Sequence, residues 1–279
     1  MIGASLNPTI DKTISMNLQL ENKLALVTGS TAGIGFAIAK TLAAEGARVI
    51  INGRSESRVT EAISVILAEM PAAKLEPLAL DLSRPDAAAE TIERYPSLDV
   101  LVNNLGVYGP KPFEEISDAD WTAIIETNFM SGVRLSRHYL PAMKAANFGR
   151  ILFIASESAV NTPTEMVHYG VTKTMQVALA RGLANTTTGT GVTVNSVLVG
   201  PTRSEGVEKF LADLAAAKGV TIADVEKSFF QTARPGSILQ RFETPDEIAP
   251  MVAFLASPLS IATNGAAVRV EGGCITTIL

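Results

Sequence analysis

Short, continuous apolar runs alternate with longer amphipathic stretches along the chain. Uninterrupted apolar runs are typical of strands buried on both faces of a parallel sheet, and amphipathic stretches are typical of helices. The alternation predicts a single Rossmann-type, doubly wound α/β domain with a seven-stranded parallel sheet. The predicted strands are residues 24–27, 49–52, 75–82, 98–102, 150–155, 193–199 and 267–270.

The amphipathic stretches predict the helices that cover this sheet. The longest is residues 118–146, and another runs from Tyr169 to about Asn185. Gly46 is placed to end the first helix at Glu45. The remaining predicted helices are residues 56–69, 204–218, 222–231 and 245–256.

Residues 20–279 are predicted to form this one domain, because no linker and no internal repeat interrupts the pattern. Residues 1–19 are expected to be a disordered or vector-derived extension, with Met16 a plausible natural start. The first fifteen residues lack the long apolar core of a signal peptide, and no segment approaches the roughly 18 apolar residues of a membrane span. We therefore expect a cytoplasmic protein without a membrane partner.

A glycine-rich turn follows the first predicted strand. Three glycines there let the backbone turn tightly and approach a pyrophosphate, whose charge is favoured by the start of the next helix. A strand, a turn of this kind and a helix are the phosphate-binding start of a dinucleotide fold. A plain strand-to-helix turn is the alternative, but it needs only one glycine. The predicted cofactor contacts in this turn are Gly29, Thr31, Gly33, Ile34 and Gly35.

Arg54 follows the second predicted strand, where no acidic residue lies between Val49 and Ser55. An acid near this point usually binds a free ribose 2′-hydroxyl, whereas an arginine suits a 2′-phosphate. The sequence therefore favours NADP(H) as the cofactor, with NAD(H) possible. A solvated turn arginine is the alternative for Arg54.

Two further strand ends carry predicted cofactor contacts. Asp81 and Leu82 end the third strand, where Asp81 could accept a hydrogen bond from an adenine amino group or could cap the next helix. Asn104 and Gly106 follow the fourth strand, and small residues there suit the close passage of a ribose.

Tyr169 and Lys173 are four residues apart, so both side chains project from one face of a helix. An ammonium beside a phenol favours the phenolate and lowers the pKa of the tyrosine, which makes it a better general acid near neutral pH. Ser156 follows the fifth predicted strand, where its hydroxyl could bind the carbonyl oxygen that the tyrosine protonates. A tyrosine and lysine at this spacing also occur by chance as a surface pair.

The composition excludes several other kinds of site. The net charge is −5 and no two Lys or Arg residues are adjacent, so no nucleic-acid surface is indicated. Cys274 is the only cysteine, and His138 and His168 are the only histidines, so we predict no metal site. We expect His168 to pack rather than react, Arg134 to form a salt bridge, and Cys274 to be inert.

Together these motifs resemble the short-chain dehydrogenase/reductase family over roughly residues 20 to 275. The resemblance implies a catalytic tetrad of Asn128, Ser156, Tyr169 and Lys173. In it, Asn128 would hold a water for a proton relay, Ser156 would polarise the carbonyl, and Tyr169 would be the acid in reduction and the base in oxidation. Lys173 and Tyr169 would also contact the cofactor. The motifs that carry the resemblance are Thr28-Gly29-x3-Gly33-x-Gly35, Asn103-Asn104-x-Gly106, Asn128, Ser156 and Tyr169-x3-Lys173.

The resemblance also implies cofactor contacts from Gly200, Thr202 and Ser204 after the sixth strand, and a substrate lid at about residues 203–240. Leu105 stands where the family has alanine, which crowds the backbone beside the ribose. Relatives are commonly tetramers, so we expect a homotetramer.

The expected activity is an NADPH-dependent, reversible reduction of a ketone or 3-oxoacyl-type carbonyl to a secondary alcohol. Arg134 matches one position at which related reductases dock an acidic acyl carrier, but residues 185–191 offer no second positive charge. A small ketone, a ketoester or an acyl-CoA is therefore favoured over a carrier-bound substrate. The alternatives are an NAD-linked alcohol or sugar dehydrogenase and a non-enzymatic dinucleotide-binding regulator.

Overall fold

The computed structural model describes residues 16–278, apart from the side chain of Phe210. Most of the predicted extension, residues 1–15, lies outside the described part. Its last residues pack on the domain: Leu18 is buried in the core, and its carbonyl accepts a hydrogen bond of 2.7 Å from Ser257 Oγ. The packed part of the chain therefore begins before residue 20.

Seven parallel strands form one sheet in the order β3-β2-β1-β4-β5-β6-β7. The fold prediction is confirmed. Strands β4, β5 and β6 are buried along their whole length, and β1 is buried after its first residue, since helices cover both faces of the sheet. The strands are β1 Leu24–Val27, β2 Arg48–Gly53, β3 Lys74–Ala79, β4 Val100–Asn103, β5 Gly149–Ile154, β6 Val192–Val199 and β7 Ala267–Val270.

Two helical layers enclose the sheet. On one face α1, α2 and α9 pack in a core that includes Ile38, Val59 and Val252. On the other face α3, α5 and α6 pack in a second core that includes Leu135 and Ala180. The helices are α1 Gly33–Ala44, α2 Glu56–Glu69, α3 Pro85–Arg94, α4 Asp118–Ile125, α5 Ser131–Ala145, α6 Val167–Asn185, α7 Glu205–Lys218, α8 Ile222–Thr232 and α9 Pro245–Ala256.

The predicted helix at 118–146 is in fact two α-helices joined by a π-helical turn, Glu126–Met130. The N–H of Ser131 bonds to the carbonyl of Glu126, five residues back, instead of four. Turns of this kind occur mostly as single widened turns inside helices and are frequent at functional sites. Asn128 lies at the centre of this one.

The third strand is also shorter than predicted. It ends at Ala79, so Asp81 and Leu82 lie in the loop before α3 and not at the strand end. Residues 80–82 still contain apolar positions because Leu82 packs in the core, although the strand has already ended.

Residues 203–240 form a helical segment that begins shortly after the carboxyl end of β6. Its helices α7 and α8 enclose their own apolar cluster, in which Leu211 and Phe230 are buried against Phe242. The rings of Phe229 and Phe242 stack at a centroid distance of 5.0 Å. Within residues 16–278, no helix combines the length and apolar character needed to cross a membrane.

Candidate active site

The strand order changes direction between β1 and β4, which are neighbours in the sheet. In open α/β sheets, ligands bind at the carboxyl ends of the strands where the order reverses in this way. The glycine-rich turn after β1 and the segment Asn104–Gly106 after β4 lie on either side of this crevice.

The glycine-rich turn has the geometry of an anion cradle. Gly29 and Gly33 adopt left-handed conformations with φ of +63° and +57°, which other residues adopt at a cost. At Gly35 a Cβ atom would overlap the carbonyl oxygen of Gly29 and the side-chain amide of Asn104. No side chain caps the start of α1, and its first turn holds no acidic residue. Its first N–H groups and its positive dipole end therefore suit a pyrophosphate.

Two polar side chains, the half-buried Asn104 and the buried Asn52, hold the backbone of this cradle in place. Asn104 Nδ2 donates to the carbonyls of Thr28 and Gly29 at 2.9 and 3.0 Å. Asn52 Oδ1 accepts from Gly29 N at 3.0 Å, and its Nδ2 donates to the carbonyls of Leu78 and Leu80. The sequence analysis gave Asn52 no structural role. A polar residue that ends a buried strand was the signal for it.

The predicted cofactor contacts after β2 and β3 differ in their exposure to solvent. Arg54 is exposed after β2 and has no hydrogen-bond or ion-pair partner among residues 16–278. Asp81 Oδ1 accepts from Ser83 N and Oγ, so it does not cap α3, whose first turn has no side-chain cap. Leu82 is buried in the core, which leaves only its backbone for a ligand.

The segment after β6 approaches the cradle from the opposite side. Ser204 caps α7, and its Cβ lies 3.5 Å from where a Cβ of Gly33 would be. Gly200 passes so close to the backbone of Glu271 that a Cβ would lie 2.9 Å from it. Thr202 Oγ1 donates to the Gly200 carbonyl at 2.9 Å. The structure thus brings Ser204 to the glycine-rich turn.

Tyr169 and Lys173 lie on one face of α6, as predicted. Lys173 is buried, and its Nζ donates to the carbonyl of Ile154 at 2.8 Å and lies 5.6 Å from the Tyr169 ring centroid. Ser156 is buried just after β5, where its Oγ accepts from Ser158 N at 3.1 Å. The hydroxyl proton of Ser156 remains available to donate, because an oxygen that accepts one bond can still give its own proton.

Burial governs the protonation of this pair. It raises the pKa of Tyr169 to about 12, and a hydrogen bond with Ser156 opposes the shift. Burial also lowers the pKa of Lys173 to about 8. The lysine spacing predicts a lowered tyrosine pKa, but the pKa is raised in the structure, because loss of hydration outweighs the favourable contacts.

Asn128 completes the group from the π-helical turn. Its Oδ1 accepts from Val107 N at 2.8 Å, and its Nδ2 donates to Val107 O at 2.9 Å and to Thr172 Oγ1 at 3.1 Å. A Cβ on Gly106 would lie 3.5 Å from both Asn128 Oδ1 and Lys173 Nζ. Asn128 and Lys173 of the predicted tetrad therefore lie beside Gly106, in the segment after β4.

Three neighbouring residues behave as the sequence analysis expected. His168 is buried with its ring edge-on to Trp121 at 6.0 Å. Arg134 forms an ion pair with Glu126 at 2.5 Å. Cys274 is buried, and burial raises the pKa of its thiol to about 11, which keeps it unreactive. Among the described residues no cluster of side chains could hold a metal ion.

Comparison with known proteins gives the same class as the fold and the crevice. The model of the short chain dehydrogenase family matches residues 23–215. The chain is 48% identical to the uncharacterized oxidoreductase YvaG of Bacillus subtilis (strain 168) over 263 residues, covering 94% of this chain and 100% of the relative. It is 31% identical to a D-beta-hydroxybutyrate dehydrogenase of Cupriavidus necator, covering 92% and 99% of the two chains.

Among solved structures, L-sorbose reductase from Gluconobacter frateurii, complexed with NADPH and L-sorbose, matches with a TM-score of 0.87 and 28% identity. The match covers 94% of this chain and 100% of that one. The chain belongs to the short-chain dehydrogenase/reductase family and is an NAD(P)-dependent oxidoreductase. A nicotinamide dinucleotide is its cofactor, and the cradle after β1 fits the pyrophosphate of that molecule.

Proposed function

We propose that the protein is an NADPH-dependent reductase that converts a ketone or 3-oxoacyl-type carbonyl into a secondary alcohol, reversibly. One observation carries this proposal: a Cβ atom placed on Gly106 would lie 3.5 Å from both Asn128 Oδ1 and Lys173 Nζ. These two polar groups therefore lie directly beside the dinucleotide crevice, and Gly106 has no side chain that would separate them from it. A protein that only binds a dinucleotide has no need of this arrangement.

In this proposal Tyr169 is the general acid. The bound dinucleotide would supply the hydride, as this class of cofactor does. The raised pKa of Tyr169 keeps its hydroxyl protonated through neutral pH, so the proton is present when it is needed. Ser156 donates a hydrogen bond to the same carbonyl oxygen and stabilises the charge that develops there. In alcohol oxidation Tyr169 is the base.

Lys173 acts on Tyr169 through its charge. Its ammonium is held on the Ile154 carbonyl, buried beside the tyrosine. With a pKa of about 8 it remains mostly charged at neutral pH. A fixed positive charge stabilises the phenolate that forms as Tyr169 gives up its proton, and it does so most strongly where water is excluded.

Arg54 supports the preference for NADPH over NADH. Its guanidinium is exposed after β2 without a partner among the described residues, so binding a 2′-phosphate breaks no ion pair there. The solved L-sorbose reductase that resembles this chain contains NADPH. NADH use remains the alternative, and it differs only at this turn.

The segment at 203–240 is proposed to be the substrate lid. Its apolar cluster around Phe230 and its start after the carboxyl end of β6 suit a lid that excludes water from the reaction. Arg234 ties this segment to the loop beside Ser156 through Glu157. The favoured substrates are small ketones, ketoesters and acyl-CoA molecules, and a sugar ketone is a second candidate because of the similarity to L-sorbose reductase.

A substrate panel tests the proposal. The purified protein would be mixed with NADPH or NADH and a small ketoester, a 3-oxoacyl-CoA or L-sorbose, and the loss of reduced cofactor would be followed. We expect turnover with at least one carbonyl and faster turnover with NADPH. Tight NADPH binding without oxidation by any member of the panel would instead support a dinucleotide-binding regulator.

A further inference from the structure

Gln176 lies in the interior of α6, on the same face as Tyr169. The two are seven residues apart, close to two full helical turns. The side chain of Gln176 is only 2% exposed. Its Nε2 donates to the backbone carbonyl of Asn128 at 2.5 Å. Gln176 therefore reaches from the helix that carries Tyr169 to the turn that carries Asn128.

The contact falls at the π-helical turn, Glu126–Met130. A widened turn interrupts the regular pattern of helical hydrogen bonds, so its carbonyls need other donors. The amide of Gln176 is such a donor. A hydrogen bond from a side chain 48 residues further along the chain holds this carbonyl in one orientation.

The side chain of Asn128 is held at the same time by three other bonds. Two of them join it to the backbone of Val107, directly after Gly106, and the third joins it to Thr172 Oγ1. Among residues 16–278, only the bond from Gln176 acts on the main chain of Asn128 from outside its own helix. Loss of that bond would let the turn shift and carry Asn128 and Val107 with it.

Within the described part of the chain, the oxygen of the Gln176 amide lacks the hydrogen bond that a buried polar atom usually has. Gln176 Oε1 is buried and has no hydrogen-bond partner among residues 16–278. A buried acceptor without a partner costs roughly 1–3 kcal/mol. A methionine of similar length would avoid this cost, so packing alone does not favour glutamine here. Buried acceptors of this kind are commonly satisfied by an ordered water.

We propose that Gln176 is a positioning residue, which fixes the backbone of Asn128 with its Nε2 and holds a buried water at its Oε1. It thereby sets the distance between the π-helical turn and the face of α6 that carries Tyr169 and Lys173. The importance of this spacing for catalysis rests on the proposed function, whereas the structural link does not.

Two variants of Gln176 and one control test the proposal in the full chain with NADPH bound. Gln176→Met keeps the length of the side chain and removes both polar ends. Gln176→Glu keeps an acceptor, removes the amide donor, and serves if the first variant folds poorly. Leu179→Ala is the control, because it removes core packing from the same helix without removing a hydrogen bond.

We expect both Gln176 variants to lower kcat by about tenfold or more, since small misplacements of catalytic groups have effects of that order. The KM for NADPH should stay within about twofold, because neither polar end of Gln176 contacts the cradle after β1. Leu179→Ala should lower the melting temperature and change kcat little. An unchanged kcat in both Gln176 variants would overturn the positioning role.

Hydrogen exchange gives a second readout that does not depend on turnover. Removing the Gln176 bond should speed exchange of the backbone amides at residues 126–132, while Leu179→Ala should leave them closer to the parent. Unchanged exchange in that segment would refute the link. If the parent reduces no carbonyl, the proposed function fails, and the exchange result still decides whether Gln176 holds Asn128.

Discussion

Arg234 Nε donates to Glu157 Oε1 at 2.8 Å, and the two side chains are only 12% and 3% exposed. Arg234 belongs to the segment at 203–240, and Glu157 directly follows Ser156. Arg234 also lies 3.5 Å from a carboxylate oxygen of Glu165, in the turn before α6. Burial raises the pKa of Glu157, although Arg234 works against this shift. A charge pair shielded from most water therefore ties the segment at 203–240 to the loop that follows Ser156.

Arg234→Leu should destabilise the protein strongly, because it leaves the buried Glu157 carboxylate without its partner. Breaking a buried pair from one side typically costs about 3–5 kcal/mol. Urea unfolding at pH 8 measures the loss. The control is Arg241→Leu, which removes an exposed pair with Glu247 and should destabilise the protein far less, because solvent screens that pair. Equal losses in the two variants would contradict the assignment of a buried pair.

Glu243 predicts a specific dependence of stability on pH. Burial raises the pKa of its carboxyl from 4.5 to about 7, and the neighbouring Glu247 and Glu271 push in the same direction. Between these pH values the folded state holds a proton that the unfolded state has lost. Stability should therefore fall as the pH rises through this window.

Glu243→Gln should remove that fall and make the protein more stable than the parent at pH 8, by up to about 3 kcal/mol. At pH 5 the two should be nearly equal, and unfolding curves at both values make the comparison. The control is Glu247→Gln. It should change the pH dependence of stability in the opposite direction, because pairing with Arg241 lowers the pKa of Glu247 to about 2. A parent whose stability rises from pH 5 to pH 7 in step with Glu243→Gln would exclude this role.

Arg54 should determine much of the choice between cofactors. Arg54→Ala is expected to raise the KM for NADPH and leave that for NADH almost unchanged, because only NADPH carries the 2′-phosphate. Hydrogen bonds to charged groups contribute about 1.5 to 3 kcal/mol, or about 10- to 150-fold in affinity. Arg58→Ala is the matched control, since Arg58 is already paired with Glu205. Equal losses with both cofactors would make Arg54 a structural residue.

A homotetramer is expected in solution. Strand β7 has a neighbour on one side only within the described residues, and such edges are usually covered or paired. Symmetric closed assemblies are the common case for oligomers, and α5 and α6 offer a second surface. Light scattering at micromolar concentration measures the mass directly. A monomer there would refute the expectation.

Several elements could be predicted closely from local signals. Helices α2 and α9 and strands β1 and β7 have the predicted bounds, because proline, glycine or polar residues mark their ends. The apolar runs of β4 and β5 were recognisable because both faces of these strands are buried. The predicted contact residues Gly29 to Gly35 likewise lie together, in the turn after β1 and the first turn of α1.

The features that were missed depend on contacts between distant residues. The π-helical turn leaves no local signal between residues 118 and 146, and its partners Val107 and Gln176 lie 21 and 48 residues away from Asn128. The direction of the Tyr169 pKa shift depends on burial, which the lysine spacing does not encode. The sequence therefore predicts candidate residues for the chemistry, but not how their surroundings shift the pKa values of those residues.

Tyr169→Phe tests the central claim most directly, because it deletes one oxygen and keeps the ring. The control is Tyr108→Phe, whose ring lies edge-on to Tyr169 at 6.2 Å and whose hydroxyl has no hydrogen-bond partner among the described residues. The measurement is kcat for carbonyl reduction beside the dissociation constant for NADPH. General acid catalysis contributes about 10²- to 10⁴-fold, so Tyr169→Phe should lose nearly all turnover while NADPH binds as before. Turnover within a few-fold of the parent would contradict Tyr169 as the acid.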